Sequence, residues 1–242
     1  MEETLHADRA ISIDSAENIR DLGGYSTREG VKTKWGRFVR SGDMDHLTVA
    51  DQRKLIAYGI TTVIDLRMVK EVEAMPNVFF ESRDVNFLVH DFWGDRFDTY
   101  RSTSKGAPPA VKLADLYCSG LIKSGFVMAR IMSTIADTPE NGFAYHCRSG
   151  KDRTGLVSMM LLAIAGVPDE MICADFALTS AYLSSPEADP NQPGFYLKGC
   201  DPETMGLTLG FLTENFESVE GYLQHIGVTE QQVIRIRQKL LD

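Results

Sequence analysis

The chain has 242 residues, 43% of them hydrophobic and 24% charged, with a formal net charge of −9. That size and balance suit a globular chain burying its core as one domain over residues 1–242, two small domains being the alternative. The negative charge argues against nucleic-acid binding and broad adhesion to anionic membranes. No apolar stretch nears the roughly 20 residues that span a bilayer, which argues against stable membrane insertion.

The acidic start, Met1–Asp8, is unlike a signal peptide, so a cytoplasmic location is expected for the chain as given, a removed leader staying open. Residues 18–46 read as turns and short strands punctuated by Gly23-Gly24, Gly30, Gly36 and Gly42, and Leu47-Thr48 opens a helix with Leu55, Ile56 and Tyr58 on its apolar face. Gly59 suits the position after that helix. Ile60–Leu66 reads as a buried strand and Val85–Val89 as another. A polar loop from Asp95 to Ala110 precedes one long helix carrying Leu116, Ile122, Phe126, Ile131 and Ile135. Phe143-Ala144-Tyr145 is a short buried strand, and Leu156–Ala165 a buried helix ending at Gly166-Val167-Pro168. Asp169–Leu183 is helical, a second exposed loop runs through Ser184–Gly194, and Thr213–Ile226 and Thr229–Leu241 close the chain as two helices. A DNA-binding helix pair there is disfavoured by the net charge. Strands alternating with helices imply an α/β fold with a largely parallel sheet and helices on both faces.

Between the Phe143 strand and the Leu156 helix lies His146-Cys147-Arg148-Ser149-Gly150-Lys151-Asp152-Arg153-Thr154-Gly155. A loop closing on a helix N-terminus points backbone N–H groups inward and adds the positive end of the helix dipole, which suits phosphate and thiolate alike. A cysteine at its entrance can have its pKa brought from about 8.5 into the range of roughly 3.5–7.5, making Cys147 a nucleophile. Arg153 can hold two phosphate oxygens with its planar fork. Thr154 can hydrogen-bond the sulfur, and Gly150 lets the backbone turn. Arg148, Ser149, Gly150, Lys151, Asp152 and Arg153 line the phosphate site, with three cations within six residues. The Cys-x5-Arg spacing alone would arise by chance in about a quarter of such chains; its strand–loop–helix frame makes it specific. A nucleotide P-loop fails because Tyr145 stands where glycine is needed and Asp152 where Ser or Thr is needed. Four cysteines without paired spacing show neither a zinc site nor a disulfide framework and suit a reducing compartment. No metal or other cofactor is expected.

This segment resembles the cysteine-dependent tyrosine and dual-specificity phosphatase signature. With Gly-Lys-Asp-Arg-Thr-Gly it is similar to the bacterial protein-tyrosine and phosphoinositide phosphatases typified by secreted mycobacterial and listerial enzymes. Asn18–Tyr25, Arg40-Ser41-Gly42 before Leu47-Thr48, and Gly59–Arg67 agree with that family, so the resemblance covers nearly the whole chain. It departs at Arg148, where the family usually carries a small or neutral residue. The resemblance implies a tyrosine-phosphatase-like fold with helical insertions over the site, and phosphomonoester hydrolysis through phosphocysteine on phosphotyrosine protein or phosphoinositide substrates. By that analogy secretion is open.

A general acid must protonate the leaving oxygen. The resemblance suggests Asp152; Asp91, after the Val85–Val89 strand, sits where related tyrosine phosphatases carry their acid, and its other reading is a turn cap. Asp152 is preferred. His146 either supports Cys147 or is a hydrogen-bonded structural residue. Asp65 with Arg67, and Arg20 with Asp21, read as structural pairs. A non-catalytic phosphate-binding module with the same loop is the alternative function. The sequence leaves open the role of Arg148, protein against lipid substrate, and oligomeric state.

Overall fold

Five short strands build the sheet: β1 (Arg20–Asp21), β2 (Phe38–Ser41), β3 (Thr62–Asp65), β4 (Asn86–Val89) and β5 (Phe143–His146). The computed structural model describes residues 9–94, 106–139, 142–183 and 199–241. Strand order is β1-β2-β5-β3-β4. All pairings are parallel except β1 with β2, which is antiparallel.

Side-chain alternation along these strands sorts two apolar layers. Val39, Val63 and Ala144 join Ile13, Ile19, Leu55, Ile60, Phe79 and Val85 on one face. Phe38, Ile64, Phe143 and Tyr145 face the larger core on the other. Helices cover both faces, as parallel strands require. The smaller layer takes Leu55 of α1 (Val49–Ala57), whose N-terminus is closed by a Thr48/Asp51 capping box. Gly59 follows the helix at φ 107°. The larger layer takes α3 (Pro109–Lys123), α4 (Gly125–Asp137), α5 (Asp152–Ile164), α6 (Asp169–Ala177), α8 (Pro202–Phe216), α9 (Val219–His225) and α10 (Glu230–Leu241). Nearly every residue of α5 is buried, as expected of a helix apolar all round. Each fully buried Leu, Ile or Met there contributes about 1.5–3 kcal/mol.

The single helix expected through Leu116–Ile135 is two, α3 and α4, joined at Ser124, whose φ of −111° and ψ of 20° leave the helical region. Ile122 and Phe126 face outward, at 54% and 55% exposure, on the side opposite the buried Tyr117, Leu121, Met128 and Ile131. The Asp169–Leu183 helix is likewise divided into α6 and the short α7 (Thr179–Tyr182). The Thr213–Ile226 helix is broken at Glu217, which takes a positive φ of 69°, and its first part starts earlier, at Pro202. Among the described residues one helix was not expected, α2 (Val69–Ala74). Among the described residues no helix is long and apolar enough to cross a membrane. The expected insertions over the site fall largely on residues 95–105 and 184–198, outside the described residues.

Candidate active site

The parallel register sets Ser41 and Asp65 on either side of His146, so Cys147 leaves the centre of the sheet at the C-terminal strand ends, where ligands gather in open α/β sheets. The loop then runs into α5 at Asp152. Its carbonyls are held from outside, one after another. The carbonyl of Cys147 accepts from His146 Nδ1 at 3.1 Å, that of Arg148 from the Asp43 amide at 2.9 Å, that of Ser149 from Asn18 Nδ2 at 2.9 Å and that of Gly150 from Arg40 Nη2 at 2.7 Å. In a planar trans peptide the N–H points opposite to the carbonyl. Four outward carbonyls therefore aim the next four amides, Arg148 to Lys151, inward. The amides of Arg148, Ser149 and Gly150 have no acceptor among the described residues. Gly150 makes the turn possible with φ 67°; a Cβ there would lie 2.6 Å from the Ser41 and Gly42 backbone.

Cys147, at 1% exposure, and Arg153, at 7%, stand at the two ends of this ring. Glu71 of α2 grips the arginine with both oxygens, Nη1 to Oε2 at 2.5 Å and Nη2 to Oε1 at 3.2 Å. Burial works against the guanidinium charge, yet the Cys147 and Glu71 charges hold the Arg153 pKa above its ordinary value. Burial opposes the Glu71 charge too, and Arg153 overcomes it, keeping the carboxyl below its usual range. Thr154 Oγ1 is buried without a hydrogen-bond partner among the described residues. The arrangement can wrap a tetrahedral dianion in amides and one planar cation beside a sulfur.

Asp152 lies in the first turn of α5, where the helix dipole favours a carboxylate. Its Oδ1 accepts from Tyr117 of α3 at 2.6 Å and pairs with Lys151 Nζ at 3.0 Å. Lys151 also donates to the Gly199 carbonyl at 3.0 Å. Arg148 is exposed at the rim. Asp91 is placed as a cap: its carboxylate accepts from the Gly94 amide at 2.6 Å and from the Val69 amide, at the start of α2, at 3.1 Å.

Two buried sets of charges brace the ring. Asp65 chelates Arg67 at 2.7 and 3.0 Å, and Arg67 reaches Asp43 at 2.8 Å. Asp175 of α6 bonds Arg20 at 3.2 Å, Tyr25 at 2.9 Å and Arg40. Arg20 also reaches Asn18, so both residues that hold the Ser149 and Gly150 carbonyls are tied to this cluster. Asn18 itself takes a positive φ of 56°, a conformation asparagine tolerates better than most residues. Asp21 belongs to a separate turn, accepting from the Gly23 and Gly36 amides at 2.5 and 2.7 Å.

Sequence reasoning missed Glu71, Asn77, Tyr117 and Asp175, and gave no role to Asn18, Arg40 or Asp43. A signal existed for two of them. Arg40 interrupts a buried strand and Asp175 an apolar helix, and a buried charge needs a partner.

Residues 11–242 match the family model described as the tyrosine phosphatase family. The chain belongs to that family. It is 28% identical over 228 residues to a tyrosine-protein phosphatase from Nostoc commune, covering 84% of this chain and 74% of the relative. It is 24% identical, over an alignment covering 95% of this chain and 98% of the relative, to the triple specificity protein phosphatase PtpB of Mycobacterium tuberculosis. This phosphatase therefore places its Cys-x5-Arg segment, Cys147 to Arg153, at the centre of a five-stranded, mostly parallel sheet.

Proposed function

We propose that the chain hydrolyses phosphomonoesters through a phosphocysteine at Cys147. The observation carrying this reading is the ring of inward amides between Cys147 and Arg153, made rigid by the outward bonds of four successive carbonyls. The phosphoryl group sits on those amides and on the Arg153 fork. Sγ attacks phosphorus as the bond to the leaving oxygen breaks, and Asp152 delivers its proton to that oxygen. Water then attacks the phosphocysteine, Asp152 takes the proton back, and the S–P bond breaks to release phosphate and the thiolate. Thr154 Oγ1 stabilises the departing sulfur. Because the donors are already oriented, they strengthen with the transition-state charge at no cost of reorganisation.

Asp152 is favoured over Asp91 because the Asp91 carboxylate is spent on two backbone amides. The substrates we propose are phosphotyrosine proteins and phosphoinositides. The exposed Arg148 adds a cation at the rim for further phosphates, and a relative named for triple specificity supports a site open to more than one ester class. Release of p-nitrophenol from its phosphate in the presence of chelator, blocked by vanadate and lost in Cys147→Ser, tests the mechanism. Activity retained in Cys147→Ser would overturn it. Phosphotyrosine peptide, phosphoserine peptide and a phosphoinositide series assayed on one preparation test the substrate class.

A further inference from the structure

The two oxygens of the Asp152 carboxyl are not equivalent. Oδ1 accepts the Tyr117 hydroxyl at 2.6 Å and pairs with the Lys151 ammonium at 3.0 Å. Oδ2 has no partner among the described residues. A carboxyl oxygen offers two lone pairs; at Oδ1 the Tyr117 hydroxyl takes one by hydrogen bond, and the Lys151 ammonium stands beside it as a charge partner that repels a proton. A proton arriving there would compete with the first and be repelled by the second, so the stable protonated form carries its hydrogen on Oδ2.

Tyr117 is suited to enforce this choice. It is fully buried on α3, its ring edge-on to Phe176 with centroids 6.1 Å apart, so the hydroxyl cannot swing away. Burial first, and the nearby Asp152 charge second, hold its pKa well above the ordinary phenol range. It remains a donor throughout the working pH range. Lys151 is itself anchored, by the Gly199 carbonyl.

We propose that Tyr117 is a positioning residue for proton transfer: by occupying Oδ1 it locks the Asp152 carboxyl so that Oδ2 both gives the proton to the leaving oxygen and takes it back from water. The inference rests on the reading of Asp152 as the general acid. The chemistry balances at one atom. Oδ2–H becomes Oδ2⁻ as the leaving alcohol forms, and Oδ2⁻ becomes Oδ2–H again as water attacks phosphorus. No turn of the carboxyl is needed between the two half-reactions. Tyr117 touches neither substrate nor sulfur in this scheme.

The test is leaving-group dependence in Tyr117→Phe, which keeps the ring and removes the donor. Phenyl phosphate needs the proton far more than p-nitrophenyl phosphate does. We expect kcat/KM for phenyl phosphate, which reports only the half-reaction that expels the leaving oxygen, to fall roughly tenfold, a fraction of what general acid catalysis supplies, with kcat/KM for p-nitrophenyl phosphate changed less than about twofold. The ratio of the two rates does not depend on how much of the protein is folded, so instability of the variant cannot imitate the result. In a background of Asp152→Asn, adding Tyr117→Phe should change the ratio no further. An unchanged ratio in Tyr117→Phe, beside a large change in Asp152→Asn, overturns the positioning role alone. An unchanged ratio in Asp152→Asn overturns the general-acid reading and this inference with it.

Discussion

Glu71 and Arg153 meet as two parallel hydrogen bonds, 2.5 and 3.2 Å long, between a six-residue helix and the exit of the anion loop. The pair orients the guanidinium, and on the proposed mechanism this sets its fork before an anion arrives. Glu71→Gln keeps the shape and one acceptor but removes the charge. A charged hydrogen bond contributes about 1.5–3 kcal/mol. Vanadate should therefore bind roughly ten- to a hundredfold more weakly in Glu71→Gln, measured by inhibition of aryl phosphate turnover. Equal vanadate affinity would show that Arg153 holds its place without Glu71.

The hydrogen bonds of His146 place its ring proton on Nδ1. Asn77 Oδ1 accepts from the Phe79 amide at 2.8 Å, which fixes the amide so that Nδ2 faces His146 Nε2 at 2.7 Å. A nitrogen facing a donor must itself accept, so Nε2 is bare and Nδ1–H donates to the Cys147 carbonyl. Asp65 Oδ2, 3.4 Å from Nε2, lies farther off than Asn77 and is already spent on Arg67. In ¹⁵N-labelled protein the two ring nitrogens should show one protonated shift at Nδ1 and one unprotonated shift at Nε2. Asn77→Ala should release the tautomer and lower kcat several-fold; an Nε2-protonated ring in the unaltered protein would refute the assignment.

Asp175 makes folding stability depend on acid. Burial alone would raise its pKa, but Arg20 and Arg40 outweigh it and bring it down from 3.8 to about 2. A carboxyl with a lower pKa folded than unfolded adds stability that is complete above its unfolded value and is lost as pH falls through the folded one. That window runs from about pH 4 to about pH 2. Urea unfolding should show about 2 kcal/mol less stability from this group across the window, a slope that Asp175→Asn removes. Asp175→Ala at neutral pH should cost about 3–5 kcal/mol, because two buried arginines lose their counter-charge. Should Asp175→Asn keep the full acid slope, other carboxylates are responsible.

Gly150→Ala should inactivate the enzyme and destabilise it. The substitution meets a positive φ of 67° and backbone atoms of Ser41 and Gly42 at 2.6 Å. Strain of this kind costs about 1–3 kcal/mol, and the simplest relief is to push the loop off its strand. Thermal unfolding combined with p-nitrophenyl phosphate turnover reads both effects. A variant with ordinary activity would mean that the loop tolerates displacement.

The anion loop is legible in the sequence because its function is local: Cys147, Gly150, Arg153 and the helix behind them follow one another along the chain. The sheet is legible too, since Val63-Ile64 and Phe143-Ala144-Tyr145 are the apolar centres of strand-length segments. What escapes is anything that depends on contacts distant along the chain. Glu71 and Arg153 are 82 residues apart, Tyr117 and Asp152 are 35, and Arg40 and Asp175 are 135. No periodicity announces such pairs. The break at Ser124 escapes for another reason: the buried apolar residues keep helical spacing across it, so periodicity does not mark the joint between α3 and α4. Asp91, the alternative acid, has its carboxylate bonded to the Gly94 and Val69 amides, contacts that agree with its turn-cap reading.

The outward carbonyls of residues 147–150 also bear on how this enzyme can change. Their partners, Asn18, Arg40, Asp43 and His146, sit at strand ends and turns rather than in the binding pocket. A scan of random substitutions should therefore find its null alleles along the rim of the sheet, with Asn18 and Arg40 as intolerant as Cys147. Arg148 contributes only its backbone to that bonding, and its side chain is exposed. Variation can accumulate there without disturbing the ring. On the proposed function, the architecture thus separates the part of the site that must be inherited unchanged from the part where substrate preference is free to drift.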